Sequence, residues 1–271
     1  FTKDIEPNAR KEAGLEDNKE ADLLLTIGVN LVKDHQVAGF FVKRAIGKET
    51  DVITVTNEST GMESFTPYGK IINKGSELVF INALNSAYHN QLHSEILEKV
   101  GVSSQDVVKL ATLFKNAKNP MIIFGVEFEA KNKSDVIRAV LQFASESNSK
   151  FASLKGNANS LIASQLNLDS SFSLNGSQAV FLALGDEDPS QTLTQKVENA
   201  PFIIVQASYQ SALSAKADVV LPVTNWLEQN GHYVTSDGKT QEAKRALVPA
   251  SDIKSNEEVF LALGSKLGLV L

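Results

Sequence analysis

Seven short apolar runs limit what this chain can become: residues 23–27, 52–55, 121–124, 151–154, 180–184, 202–205 and 219–221. Several are rich in β-branched residues and lack the alternation of a half-exposed strand, the pattern of strands buried on both faces. Between them lie stretches that favour helix: 36–46, 77–88, 91–99, 104–117, 134–146, 209–216 and 256–267. In 104–117, Val107, Leu110, Ala111 and Phe114 recur at i, i+3, i+4 and i+7, one apolar stripe on a helix. Strands alternating with helices predict an α/β fold with largely parallel, doubly wound sheets.

A charged lead-in at 1–20 has no sustained apolar face, so folded structure is expected from Ala21. Ser and Asn dominate 145–176, which places a boundary near residue 155. Each side then holds three or four strands, predicting two Rossmann-like lobes at 21–155 and 156–250, with a C-terminal helical segment at 251–271. At 271 residues, 42% hydrophobic and 21% charged, the chain can bury an ordinary globular core. The net charge of −6 leaves no basic stripe for nucleic acid. Without cysteine it supplies neither disulfides nor thiolate ligands. No apolar run approaches the roughly 18 residues of a membrane span. The start at Phe1 reads as a piece excised from a larger protein.

In open parallel sheets, ligands bind outside the carboxyl ends of the strands. The first run delivers Gly28, Val29 and Asn30 there, with Asp34 and His35 following; the second delivers Thr56 to Thr60. In the second half, Gly185, Asp186, Glu187, Asp188 and Pro189 follow one run, and Gln206, Ala207 and Ser208 another. The last run, closed by Pro222, leads into a turn-rich loop with Trp226, Glu228, Gly231 and Gly238.

The stretch 215–241 resembles the late segment of the molybdopterin oxidoreductase superfamily, in Ala217–Pro222, Trp226, Glu228, Gly231, Asp237, Gly238, Lys239 and Gln241. Five further stretches resemble the superfamily in order: 21–45, 51–60, 119–128, 154–167 and 182–191. In that superfamily the strand-end loops cradle a bis-pterin guanine dinucleotide carrying molybdenum or tungsten. The departures fall on polar positions. Leu31 stands where the family has Pro, Thr56 and Asn57 where it has Asp-Pro, and Ala207 where it has Asp. Ser211 and Leu213 replace Thr, and Thr235 replaces Asn. A guanine N–H edge left without its acceptor loses about 1–3 kcal/mol, and each 1.4 kcal/mol is about tenfold in affinity.

Retained framework with altered ligand-facing residues resembles the large iron–sulfur subunit of NADH:quinone oxidoreductases. The resemblance then implies a cofactor-poor scaffold with no cofactor in this stretch, docked to upstream iron–sulfur domains and other subunits. It implies a cytoplasmic location, peripheral to a membrane complex. The alternative is the cofactor-binding part of a molybdenum or tungsten enzyme such as a formate dehydrogenase. Gly28, Asn30, Thr56, Gly185, Asp186, Trp226, Glu228 and Gly231 would then line the molybdopterin guanine dinucleotide groove. The enzyme needs an open polar groove; the scaffold predicts one partly filled by Leu31, Leu213 and Trp226.

Other chemistry finds less support. His89 and His93 have metal-binding spacing on an expected helix, but Asn90 stands where a metalloprotease motif needs Glu, and they read as helix-surface histidines. His35 and His232 read as polar structural contacts, the acidic run 186–188 as a solvated turn, and Trp226, the only tryptophan, as a core residue. No GxSxG, P-loop or GxGxxG is present, which weakens a free-standing nucleotide-binding module.

Overall fold

A computed structural model describes residues 12–46, 49–125, 133–154, 158–168, 172–186, 188–235 and 238–269. By contact they divide into two compact units, Phe1–Leu166 with Val234–Lys239, and Asn167–Tyr233 with Thr240–Leu271. Val234 belongs with the first unit because its N–H donates to Asn159 Oδ1 (2.7 Å) and its carbonyl accepts from the Asn159 N–H (3.0 Å).

In the first unit the elements run β1 (Leu23–Ile27), α1 (Gln36–Ala45), β2 (Asp51–Thr56), β3 (Tyr68–Ile71), α2 (Glu77–Tyr88), α3 (Ser104–Asn116), β4 (Pro120–Phe124), α4 (Lys133–Glu146), β5 (Lys150–Ser153) and α5 (Ser160–Gln165). The sheet is parallel in the order β3-β2-β1-β4-β5. Every residue of β1 and β4 is buried, as continuous apolar runs require. Alternation sends Leu23, Leu25 and Ile27 into one cluster with Phe80 of α2, Phe114 of α3 and Phe143 of α4. Leu24, Met121 and Ile123 enter the opposite cluster with Ala38 and Val42 of α1. The predicted stripe of α3 is buried at all four positions. Asp22 ties three strands together at their starts: its carbonyl accepts from the Asp51 N–H, and its carboxylate from the N–H groups of Lys118 and Asn119.

Folded structure begins before Ala21. Residues 1–11 lie outside the described part, but the Ala13 N–H donates to the Phe151 carbonyl (2.7 Å), and a 3-10 helix at Leu15–Glu20 buries Asn18. The charges of the lead-in find a partner: Lys150 lies 3.2 Å from Asp17 and 3.5 Å from Glu20.

The second unit contains β6 (Val180–Ala183), α6 (Gln191–Val197), β7 (Ile203–Ala207), β8 (Val219–Pro222) and α7 (Asn256–Lys266). Its sheet is parallel, β6-β7-β8, and Leu182, Val197, Ile203, Val205, Ala207 and Leu213 form its small core. Two further strands, β9 (Gly231–Val234) and β10 (Thr240–Ala243), form a two-stranded sheet. Strand β8 is not buried on both faces as its composition predicts. It is an edge strand, with Val219 37% and Val220 46% exposed.

Two expected helices are replaced. Stretch 91–99 forms only a 3-10 helix, Ser94–Lys99, and 209–216 only a 3-10 turn, Ser214–Lys216. In the latter, Ser211 and Ser214 exchange side-chain-to-backbone hydrogen bonds, which compete with helical bonding. Strand β3 escapes a hydrophobic reading because it is a half-exposed edge strand of sequence YGKI.

Candidate functional site

Each unit has a crevice where its parallel strands end. In the first, residues after β1, β2 and β3 enclose about 390 Å³. Gly28 leaves β1 in the left-handed region, φ 62°. The next turn is closed by Asn30, whose Oδ1 accepts from the N–H groups of Val32 (3.1 Å) and Lys33 (3.0 Å) and whose carbonyl accepts from those of Asp34 and His35. Asn30 thus holds the loop into α1 in shape while lining the cavity. Thr56 ends β2 and lines the same cavity, and its buried Oγ1 has no hydrogen-bond partner.

The loop beyond Thr56 is organised by Glu63. Burial pushes its carboxyl up, but donors from Ser59, its own backbone, Gly61 and Thr60 outweigh that and hold it at about 2. The cavity wall also carries Lys33, Lys74, Glu77 and Lys133, none of which stood out in the sequence. Lys74 follows the unrecognised strand β3, so its position at a strand end had no apolar run to announce it.

In the second unit, Leu184, Gly185, Asp186, Asp188, Pro189, Ala207, Tyr209, Gln210 and Ser211 line about 320 Å³. No described Lys, Arg or His lines it. A Cβ on Gly185 would meet no protein atom within 4 Å, so the residue faces the open cavity. Asp186 Oδ2 accepts from the Trp226 backbone N–H (2.9 Å).

Of the predicted site residues, Gly28, Asn30 and Thr56 meet in the first crevice and Gly185 and Asp186 in the second. Trp226, Glu228 and Gly231 line neither. Trp226 is 54% exposed, not a core residue, because only its backbone is anchored. Glu228 instead closes a turn: its Oε2 accepts from the Asn225 N–H (3.1 Å) and its N–H donates to the Asn225 carbonyl (3.0 Å). The predicted filling of the crevices does not occur. Leu31 (4% exposed) and Leu213 (1%) turn into the cores beside them, leaving both cavities open.

His89 and His93 do not share a helix; they cap α2 and the Ser94–Lys99 turn respectively. His89 Nε2 instead meets Glu146 Oε2 at 2.6 Å. No group of three or more His, Asp or Glu among the described residues is placed to hold a metal.

The sequence profile of the molybdopterin oxidoreductase family matches residues 8–266. The chain belongs to that family. As a molybdopterin oxidoreductase domain, it is 26% identical over 262 residues to an NADH-quinone oxidoreductase subunit of Rickettsia felis, covering 94% of this chain and 34% of that protein. Formate dehydrogenase H of Escherichia coli is 28% identical over 88 residues, 30% of this chain and 12% of that protein. The chain therefore spans about a third of the length of the NADH-quinone oxidoreductase relatives it matches. Acetylene hydratase from Pelobacter acetylenicus shares the fold with a TM-score of 0.73 at 15% identity, over 95% of this chain and 48% of that one.

The family implies a molybdopterin cofactor, and the crevices answer that in two parts. Their place at parallel strand ends and the left-handed Gly28 suit a ligand cradle. The ends of β2 and β7 do not offer the carboxylates that the family resemblance leads one to expect for guanine. Thr56 offers a neutral hydroxyl with no partner, and Ala207 offers no side-chain acceptor, its carbonyl being taken by the Val223 N–H. Carboxylates do remain elsewhere in the lining, Asp34, Glu58 and Glu77 in the first crevice and Asp186 and Asp188 in the second.

Proposed function

We propose that this chain is a structural part of a longer redox subunit of the NADH-quinone oxidoreductase type, and that its crevices no longer retain a guanine dinucleotide. The observation that carries this reading is the neutral pair Thr56 and Ala207 at the ends of β2 and β7. Each absent carboxylate takes an anionic acceptor away from a base edge, about 1–3 kcal/mol apiece. The breadth of similarity supports the same reading, since the Rickettsia felis relative matches 94% of the chain and Escherichia coli formate dehydrogenase H only 30%. The role is scaffold: the domain presents docking surfaces to iron–sulfur domains of the same polypeptide and to other subunits. Its position in this reading is peripheral to a membrane complex, on the cytoplasmic side. No described helix is long and apolar enough to cross a membrane.

A second reading rests on the open crevices. Cavities of about 390 and 320 Å³ at the strand ends suit a dinucleotide in a catalytic molybdenum or tungsten enzyme better than plugged ones would. Gly28, Asn30, Thr56, Gly185 and Asp186 would then touch it. Molybdenum and tungsten analysis with pterin fluorescence, on the intact full-length protein, decides between them. The scaffold reading expects neither metal nor pterin. Stoichiometric amounts of both overturn it.

A further inference from the structure

The first crevice lies where the strands end, but the same unit has another cavity where they begin. Asn18 and Lys19 of the Leu15–Glu20 turn, Phe41, Arg44 and Ala45 of α1, and Thr50 before β2 enclose about 300 Å³. That volume lies at the lower end of small-molecule pockets.

The walls are fixed from the backbone outward. The Ala21 N–H donates to the Asn18 carbonyl (3.3 Å), and Thr50 Oγ1 donates to the Ala21 carbonyl (2.8 Å). Asn18 is 3% exposed, and its Nδ2 is sealed from solvent with no hydrogen-bond partner. A buried donor in that state has lost its bond to water, and an acceptor that reaches it recovers the loss. The χ2 torsion of Asn is broad, so this amide can turn to an acceptor that enters the cavity.

The lining has one sign of charge. Among the described residues it carries Lys19 and Arg44 and no carboxylate, in a chain whose net charge is −6. Lys19 shares its charge with Glu16 at 3.4 Å, and both side chains are largely exposed. The other acids of the turn, Asp17 and Glu20, are drawn to Lys150. The Arg44 guanidinium lies over the Phe40 ring, 5.5 Å from its centroid. Such stacking occupies the flat face of the group and leaves the N–H fork at its edge for a carboxylate or phosphate. The dipole of α1 opposes an anion at this end by about half a charge, less than the full charge of Arg44. Phe41 and Ala45 supply an apolar wall.

We propose that this cavity binds a small organic oxyanion, a carboxylate or phosphate head on a short apolar body. The head lies between Arg44, Lys19 and the Asn18 amide, and the body against Phe41 and Ala45. The site is at the opposite end of the sheet from the first crevice, so it does not depend on what that crevice holds.

Isothermal titration calorimetry on the full-length protein tests this, with phenyl phosphate, benzoate and uncharged benzyl alcohol as probes. Expected is millimolar or tighter binding of at least one anion, with none of benzyl alcohol; the tighter anion names the head group. Arg44→Gln and, separately, Asn18→Leu should each weaken it at least ~10-fold, the loss of one hydrogen bond to a charged group. No binding of either anion at millimolar concentration overturns the proposal, and so does equal binding of benzyl alcohol. An affinity unchanged in either variant overturns it as well. Circular dichroism checks that each variant is folded. Arg44 is exposed, so its replacement keeps the test decisive even where Asn18→Leu does not fold.

Discussion

Gly125 lies so close to Gly28 that a Cβ built on it would stand 2.4 Å from the Gly28 carbonyl oxygen. The two residues follow β4 and β1, neighbours at the point where strand order reverses, and the Gly125 N–H donates to the Ile27 carbonyl (3.2 Å). The obstacle is backbone, which cannot rotate away as a side chain would. Gly125→Ala should therefore destabilise the chain by about 1–3 kcal/mol, the usual cost of overpacking. Gly185→Ala, in open space, should stay within about 0.5 kcal/mol. Urea unfolding followed by circular dichroism compares them, and equal midpoints would refute the close contact.

Asp22 gathers β1, β2 and β4 at their amino ends, and its carboxylate accepts from Lys118 N–H at 2.7 Å and Asn119 N–H at 2.9 Å. Asp22→Ala hands both exposed donors to water and should cost about 0.5–1.5 kcal/mol for each bond lost. Asp22→Asn keeps one acceptor oxygen and should lose less. The same unfolding measurement orders the three proteins.

Glu63 gives the loop after β2 a defined acid dependence. Its folded value of about 2 lies below its ordinary 4.5, so the carboxylate's contribution is complete above pH 4.5 and is lost as pH falls through 2. Because solvent still screens this half-buried group, that contribution should stay within about 1 kcal/mol. A carbon-13 titration of the Glu63 carboxyl should show no midpoint above pH 3, and Glu63→Gln should flatten stability across that acid range. A midpoint near 4.5 would mean that the donors from Ser59, Thr60 and Gly61 do not hold it.

Trp226 and Leu213 exchange the roles their side chains suggest. Leu213 is 1% exposed in the second core, so Leu213→Ala should cost about 2–5 kcal/mol. Trp226 is 54% exposed and held through its backbone, so Trp226→Ala should cost less than about 1 kcal/mol. Acrylamide should quench the single tryptophan of this chain readily. A shielded indole would return Trp226 to the core.

All seven apolar runs became strands because each buries or pairs a continuous hydrophobic stretch, a property carried by residue type alone. The family, too, was legible, through framework residues such as Ala217–Pro222 whose order and spacing survive. Strands β3, β9 and β10 were not, because half-exposed or exposed strands of YGKI, GHYV and TQEA carry no apolar run. Glu228 kept its place in a family pattern, but only coordinates reveal that its carboxylate is consumed by the Asn225 turn.

By itself, then, the sequence determined the α/β class, the seven apolar strands and the strand-end positions of Gly28, Asn30, Thr56, Gly185 and Asp186, since those depend on hydrophobic runs and on what directly follows them. Tertiary structure alone decided where each strand lies in its sheet. The runs at 23–27 and 219–221 look equally buried in composition, yet one is central and the other is an exposed edge. It also decided that Leu31 and Leu213 turn into cores and leave the crevices open. Burial and direction belong to neighbours brought together from distant parts of the chain, and no local pattern of residues encodes them.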